Sequence, residues 1–278
     1  FPVNTTQIYQ EGLRLPPTRI MTDGKWVQDV LDVICLNSRL PKVLRGDLNA
    51  QVAAAKMGAQ RMKALLGRFG LPTVRAATDR IFAATEAKFR EFISHIPDGV
   101  YEAHGTSDAD FISSEPLPVH VKSTISGSDM VIDTAGTSPQ RAGNLNCGYA
   151  NSLSAARLAL ALLYPSAEPE INHGAFRPMK FIAESGSIFA AKEAAPCMRP
   201  HPVMLLTDLI IRSLADVLPD VVAAGLPGDS WNVMIMGDDP NTKEFFISME
   251  SLCGGWGANH EADGASAVTH SAAGDFRN

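Results

Sequence analysis

Carboxylate, hydroxyl and amide side chains crowd one short stretch of this 278-residue chain. Residues 127–146 read GSDMVIDTAGTSPQRAGNLN: a short apolar run, Met130–Ile132, ends in Asp133 and opens into a polar loop. In that loop Asp133, Thr134, Thr137, Ser138, Gln140, Asn144 and Asn146 bring donors and acceptors together. Gly136 and Gly143 free the backbone to turn sharply or to approach a ligand closely. A polar loop at a strand end, held on a rigid scaffold, suits recognition of a small polar molecule. The plainer reading of the same residues is a strand, a turn and a helix cap.

Similar clusters recur elsewhere. Glu11-Gly12-Leu13 precedes Pro16-Pro17. Asn37–Leu48 carries Arg39 and Asp47, with Gln51 just beyond. Gly174–Pro178 contains Arg177 and is followed by Gly254–Ala258 and Asp263-Gly264. Arg39-Leu40-Pro41 and Arg177-Pro178 place each arginine close before a proline, which disfavours helix and fixes its direction. Such arginines would clamp a carboxylate or phosphate bidentately, or else bridge an acidic neighbour within the fold. The sequence leaves both readings open.

Several chemistries are excluded. There is no GxxxxGK[ST] loop, and no GxGxxG follows a strand, so this chain is not expected to bind nucleotide. HExxH, GxSxG and SxxK are also absent. None of the seven histidines stands at helical i, i+4 spacing to another. His120 falls in a half-exposed strand and reads as structural. His260 and His270, near Glu261 and Asp263 in a Gly-rich tail, read as solvated surface rather than a metal centre. No metal ligand is assigned. Cys35, Cys147, Cys197 and Cys253 are single, without a CxxC pair, which argues against a zinc ribbon and for a reduced, cytoplasmic protein. A net charge of -6 without a Lys/Arg cluster argues against nucleic acid as a partner. No apolar run approaches the eighteen residues of a membrane span.

The elements that must position these clusters follow from periodicity and punctuation. Helices are predicted over Trp26–Leu36, from a Gly46-Asp47 cap to a stop at Gly70-Leu71-Pro72, and from Thr78-Asp79 to about His95. Strands are predicted over Gly99–Ala103, Val119–Ile125 and Met130–Asp133, with Ser126–Asp129 as a hairpin turn. A helix capped by Ser152 or Ser154 runs through Tyr164. Arg177–Ala190 reads as two short strands and Pro202–Leu218 as a helix. Trp231–Met236 and Glu244–Glu250 form a hairpin. A helical first third before mixed strand and helix layers predicts an α+β fold, with parts 1–98 and 99–278. The start at Phe1 without a Met and the stop at Asn278 lead us to expect one continuous piece of a larger multidomain chain.

In order, these clusters resemble the B component of the hydantoinase B/5-oxoprolinase family. That family is related to the N-methylhydantoinase B component, caprolactamase, and the acetone and acetophenone carboxylases. The matching residues are Glu11–Pro17, Arg39-Leu40-Pro41, Gly46–Gln51 with Ala53-Ala54, and Asp133–Gln140 with Gly143–Asn146. They continue with Gly174, Arg177-Pro178, Gly186-Ser187-Ile188, Ala195-Pro196, Gly254–Ala258 and Asp263-Gly264. The resemblance runs through essentially the whole chain.

The resemblance implies a division of labour. A partner, the HyuA-like ATP-binding A component, takes up ATP and phosphorylates the substrate's amide or carbonyl oxygen. The B component then completes hydrolysis of the activated cyclic amide, or carboxylation in the ketone-carboxylase branch. ATP would be bound by the partner and not here. A divalent metal is implied for the full family protein, with ligands N-terminal to Glu11-Gly12-Leu13 and so outside this chain. On this reading Asp133, Thr137, Gln140, Asn144 and Asn146 line or support a substrate channel, with Glu11, Arg39, Asp47, Gln51, Arg177 and Asp263 nearby. An inactive structural remnant is the remaining alternative. Motifs cut off at either end would leave apolar surface exposed, so self-association is expected.

Overall fold

Strict alternation builds the central sheet. The structure is a computed structural model that describes residues 4–110, 112–165, 170–197, 201–225, 232–251, 254–259 and 262–266. Trp231, Cys253, His260, Glu261 and His270 lie outside the described residues. The fold is α+β, and the chain divides into two compact units, residues 1–10 with 82–278, and residues 11–81.

In the larger unit a four-stranded sheet has the order β3 (Gly99–Ser107), β4 (Leu117–Ser126), β5 (Asp129–Asp133), β6 (Met179–Ile182). β3, β4 and β5 are antiparallel neighbours, and β6 runs parallel to β5. A parallel pair needs a crossover, and helix α4 (Tyr149–Leu163) lies within that connection. Along β4, Leu117, Val119, Val121, Ser123 and Ile125 are buried while the residues between them are not. That period of two sorts the sheet into an apolar and a polar face. The apolar face packs with α4 and α5 (His201–Ser213) into one core that also holds Phe89, Ile93 and Ile96. Ala155, Ala156 and Ala159 let α4 approach α5 closely. Gly105 does the same under α5: a Cβ there would meet Leu209 at 3.0 Å. The two hydroxyls of Ser123 and Ser213 satisfy each other at 2.8 Å where sheet meets helix. A separate hairpin, β7 (Asn232–Asp238) with β8 (Phe245–Ser251), completes the strands of this unit.

In the smaller unit β1 (Met21–Thr22) and β2 (Lys25–Trp26) close around Asp23 and Gly24, both at positive φ, as a tight Asp-Gly hairpin requires. α1 (Gln28–Leu36) buries Leu31 and Cys35. α2 (Pro41–Phe69) buries no residue. Trp26 Nε1 donates to Asn49 Oδ1 at 3.2 Å, and Arg45 pairs with Asp32 at 3.3 Å.

Some boundaries differ from expectation for definite reasons. α2 begins at Pro41, not at Asp47, because proline is favoured in the first helical turn, where its missing N–H costs nothing. The same effect lets α3 (Leu71–Ser94) start directly after Gly70, with Pro72 in its first turn. Gly70, at φ 76°, breaks the direction, and Pro72 opens a helix rather than only ending one. α4 begins at Tyr149 after Gly148, with no serine cap. Of the two strands expected across 177–190, one forms; the second is reduced to an isolated bridge between Pro139 and Ser187. No helix among the described residues is long and apolar enough to cross a membrane.

Candidate functional site

The loop after β5 is fastened to the sheet residue by residue. Asp133 Oδ1 accepts from the Ala135 N–H at 2.9 Å, and its Oδ2 lies 3.6 Å from Lys122 Nζ. Thr137 Oγ1 accepts from the His120 N–H at 3.1 Å and donates to the His120 carbonyl at 3.0 Å. Thr137 thus replaces a strand neighbour where β5 has ended. Asn146 is fully buried. Its Oδ1 accepts from Arg141 N at 2.8 Å, and its Nδ2 faces the carbonyls of Gly143, Arg141 and Pro196 at 2.7 to 3.0 Å. Gly143 is required by close approach, since a Cβ there would fall 2.3 Å from Asp110 Oδ2. That buried carboxylate accepts from the Gly143, Ile112 and Ser113 N–H groups.

Beyond this brace lies a cleft of about 400 Å³, lined by Thr6, Gln7, Gln140, Arg141, Glu193 and Pro196 among others. Gln140 spans one wall: Nε2 donates to the Lys192 carbonyl at 3.2 Å and Oε1 accepts from Lys192 N at 2.8 Å. Glu193 and Ala194 both adopt positive φ, 56° and 62°, a left-handed pair that costs about 1 kcal/mol or more per residue. The Ala194 carbonyl is engaged by Ile8 N at 3.0 Å, which holds this strained wall against the N-terminal segment. Arg141 Nη2 donates to the Pro116 carbonyl at 3.3 Å, but its buried Nε has no hydrogen-bond partner among the described residues. A half-buried guanidinium with a donor left unpartnered suits an anionic oxygen. Behind the cleft, Asn144 is buried with neither amide atom partnered among the described residues.

A second group stands on the polar face of the sheet. Glu102, His104 and His120 offer ligand atoms all within 4.8 Å of one another. Burial pushes the Cys147 thiol up to about 12, so this cysteine stays protonated at neutral pH.

The structure thus gathers Asp133, Thr137, Gln140, Asn144 and Asn146 in and behind one loop. Arg177 stands elsewhere in the same unit, donating to Glu86 at 3.1 Å with its guanidinium over the Phe82 ring at 5.6 Å. Of the two readings left open for it, the internal bridge is the one seen. Glu11, Arg39, Asp47 and Gln51 belong to the other unit, and Asp263 lies in an exposed loop. The sequence does not single out Arg141, nor does it pair His104 with His120, which reads there as structural. Arg141 sits inside the recognised loop but has no spacing to single it out. His104 was hidden because the strand was expected to stop at Ala103.

The family model for hydantoinase B/oxoprolinase matches residues 1–278. A protein of Pseudomonas sp. (strain NS671), provisionally named as the B component of a D-/L-hydantoinase, is 31% identical, over 96% of this chain and 46% of its own length. The crystal structure of the ATP-dependent caprolactamase from Pseudomonas jessenii superposes with a TM-score of 0.87 at 27% identity, over 96% of this chain and 47% of that one. The acetophenone carboxylase delta subunit of Aromatoleum aromaticum is 30% identical over 50% of this chain and 21% of its own length. The chain spans just under half the length of the first two relatives.

Proposed function

The chain belongs to the hydantoinase B/oxoprolinase family, and on that premise we propose that it serves in the B component of an ATP-dependent amide-ring hydrolase. The observation that supports the hydrolase branch over the carboxylase branch is the extent of sequence identity, not of fold, since an acetone carboxylase superposes over 99% of this chain at 15% identity. Kinship with the provisionally named D-/L-hydantoinase component runs along 96% of the chain, whereas that with the acetophenone carboxylase protein covers half.

The chemistry explains why two components are needed. An unstrained amide is a poor electrophile. A HyuA-like ATP-binding A component phosphorylates the amide oxygen and so turns it into a leaving group. On the B component water attacks the activated carbon, the ring C–N bond breaks with the nitrogen leaving as the protonated amine, and a second water hydrolyses the resulting acyl phosphate to carboxylate and phosphate. A divalent metal, with ligands expected in sequence preceding Glu11, supplies a water nucleophile at neutral pH when bound. In this chain the Arg141 guanidinium binds the anionic oxygen of the activated substrate. Gln140 holds one wall of the cleft, and Asn146 and Asp110 keep the loop in place behind it. Asp133 and Thr137 fix the loop to β4 and do not touch substrate.

The test is ATP-dependent ring opening of cyclic amides by the protein bearing this chain together with its A component. Bicarbonate-dependent turnover of a ketone in its place would move the assignment to the carboxylase branch.

A further inference from the structure

We propose that Glu102, His104 and His120 form a binding site for a divalent transition-metal ion of the zinc class on the polar face of the sheet. The site is built wholly from this chain's own residues and does not depend on the reaction proposed above.

Strand register brings the three together. His104 is directly opposite His120 across β3 and β4, and Glu102 is two residues before His104 and therefore on the same face. The two imidazoles stack with centroids 4.4 Å apart and planes 10° from parallel; their in-plane lone pairs run side by side, so the exposed His104 ring must turn to share an ion with His120. His120 Nδ1 lies 2.8 Å from the Ala135 carbonyl oxygen. A carbonyl only accepts, so Nδ1 carries the proton and Nε2 of the neutral ring presents a lone pair. That Nε2 is buried, has no hydrogen-bond partner among the described residues, and faces Glu102 Oε2 at 3.6 Å. Two acceptors that close call for a cation between them. A ring nitrogen of His104 lies within 4.8 Å of both.

The surroundings fit metal ligation. A histidine ligand usually has its other nitrogen fixed by a backbone carbonyl, as Ala135 does here. Thr137 pins both backbone groups of His120, so this half-buried ligand is held in place while the two exposed ligands can adjust. Tetrahedral zinc places its donors about 3.3 Å apart, so the 3.6 Å pair needs little movement. Lys122, next along the face, lies 3.6 Å from Asp133 and bonds there rather than filling the gap. Two imidazoles and one carboxylate favour zinc, cobalt or nickel over calcium or magnesium, and leave a coordination position for water.

The test is Co²⁺ titration of the chelator-stripped protein, read by its visible d–d absorption and by competition with Zn²⁺. Circular dichroism checks the fold of each variant. We expect saturable uptake, with affinity lowered at least about tenfold in His104→Gln and in His120→Ala. Glu102→Gln, at an exposed position that folding does not need, should weaken it similarly. Uptake that is equal in wild type and all three folded variants would overturn the proposal. So would wild-type protein that takes up no metal while ring NMR shows His120 as an imidazolium, a proton then being the bridging cation.

Discussion

Asn146 and Arg141 bond each other in both directions: the Arg141 N–H donates to Asn146 Oδ1 at 2.8 Å, and Asn146 Nδ2 faces the Arg141 carbonyl at 3.0 Å. The same Nδ2 also reaches Gly143 and Pro196, so a single amide ties the polar loop to itself and to the opposite cleft wall. Truncation leaves several buried backbone groups unpaired, at roughly 1–3 kcal/mol each. Asn146→Ala should therefore lose about 3 kcal/mol of stability in urea unfolding. Asn144→Ala, whose amide bonds no described residue, should lose clearly less. Equal losses would show that the brace is not where the loop's stability resides.

Arg141 should behave differently from its neighbour. Arg141 lines the cleft, and its Nε has no hydrogen-bond partner among the described residues. Arg141→Ala should cut kcat/KM for ring opening about a hundredfold and change the melting temperature little. Arg141→Lys should recover only part of that, because an ammonium keeps the charge but not the fork. Full activity in Arg141→Ala would remove Arg141 from the site.

A pH effect is expected at the far end of the sheet unit. Glu86 accepts from Arg90 at 2.9 Å and from Arg177 at 3.1 Å, and Arg90 also pairs with Asp129 at 2.9 Å. The hydrogen bond from Arg90, then that from Arg177, holds the Glu86 carboxyl below its usual 4.5. A depressed folded value means that the stabilisation is complete above pH 4.5 and disappears as pH falls through the lower folded value. Glu86→Gln should lower stability slightly above pH 4.5, where the exposed pair is intact, and converge with wild type as pH falls below the folded value, which flattens the acid limb. An unaltered acid limb would contradict this.

Apolar exposure sets a further expectation. Met57, Met62, Leu65 and Phe69 of α2 are exposed, as are Ile235 and Met249 of the β7–β8 hairpin. Patches of this kind drive association in water. The isolated chain should scatter light as dimers or larger species at micromolar concentration and bind an apolar dye. A clean monomer without dye binding would contradict this.

Legibility followed the range of the signal. The turn at Ser126–Asp129 and the 232–251 hairpin were readable, because alternation and turn residues act locally. The start of α2 was not, since Pro41 signals a break as readily as a first turn. The polar loop 133–146 was readable by composition, but the division of work within it was not. Asn146 supports and Gln140 lines because segments near residues 7 and 192–196 meet them in space. The His104–His120 stack needed the register of β3 on β4, which no spacing along the chain announces.

ATP-coupled hydrolysis shared between two components is the central proposal for this chain. The decisive measurement is ring-opened product and ADP from a panel of hydantoin, oxoproline and lactam rings, with the protein bearing this chain and its ATP-binding A component, together and apart. The account predicts product from at least one ring only when both proteins and ATP are present, with ADP formed in step with product. Ring opening without ATP, or at a rate that does not depend on the protein bearing this chain, would contradict it.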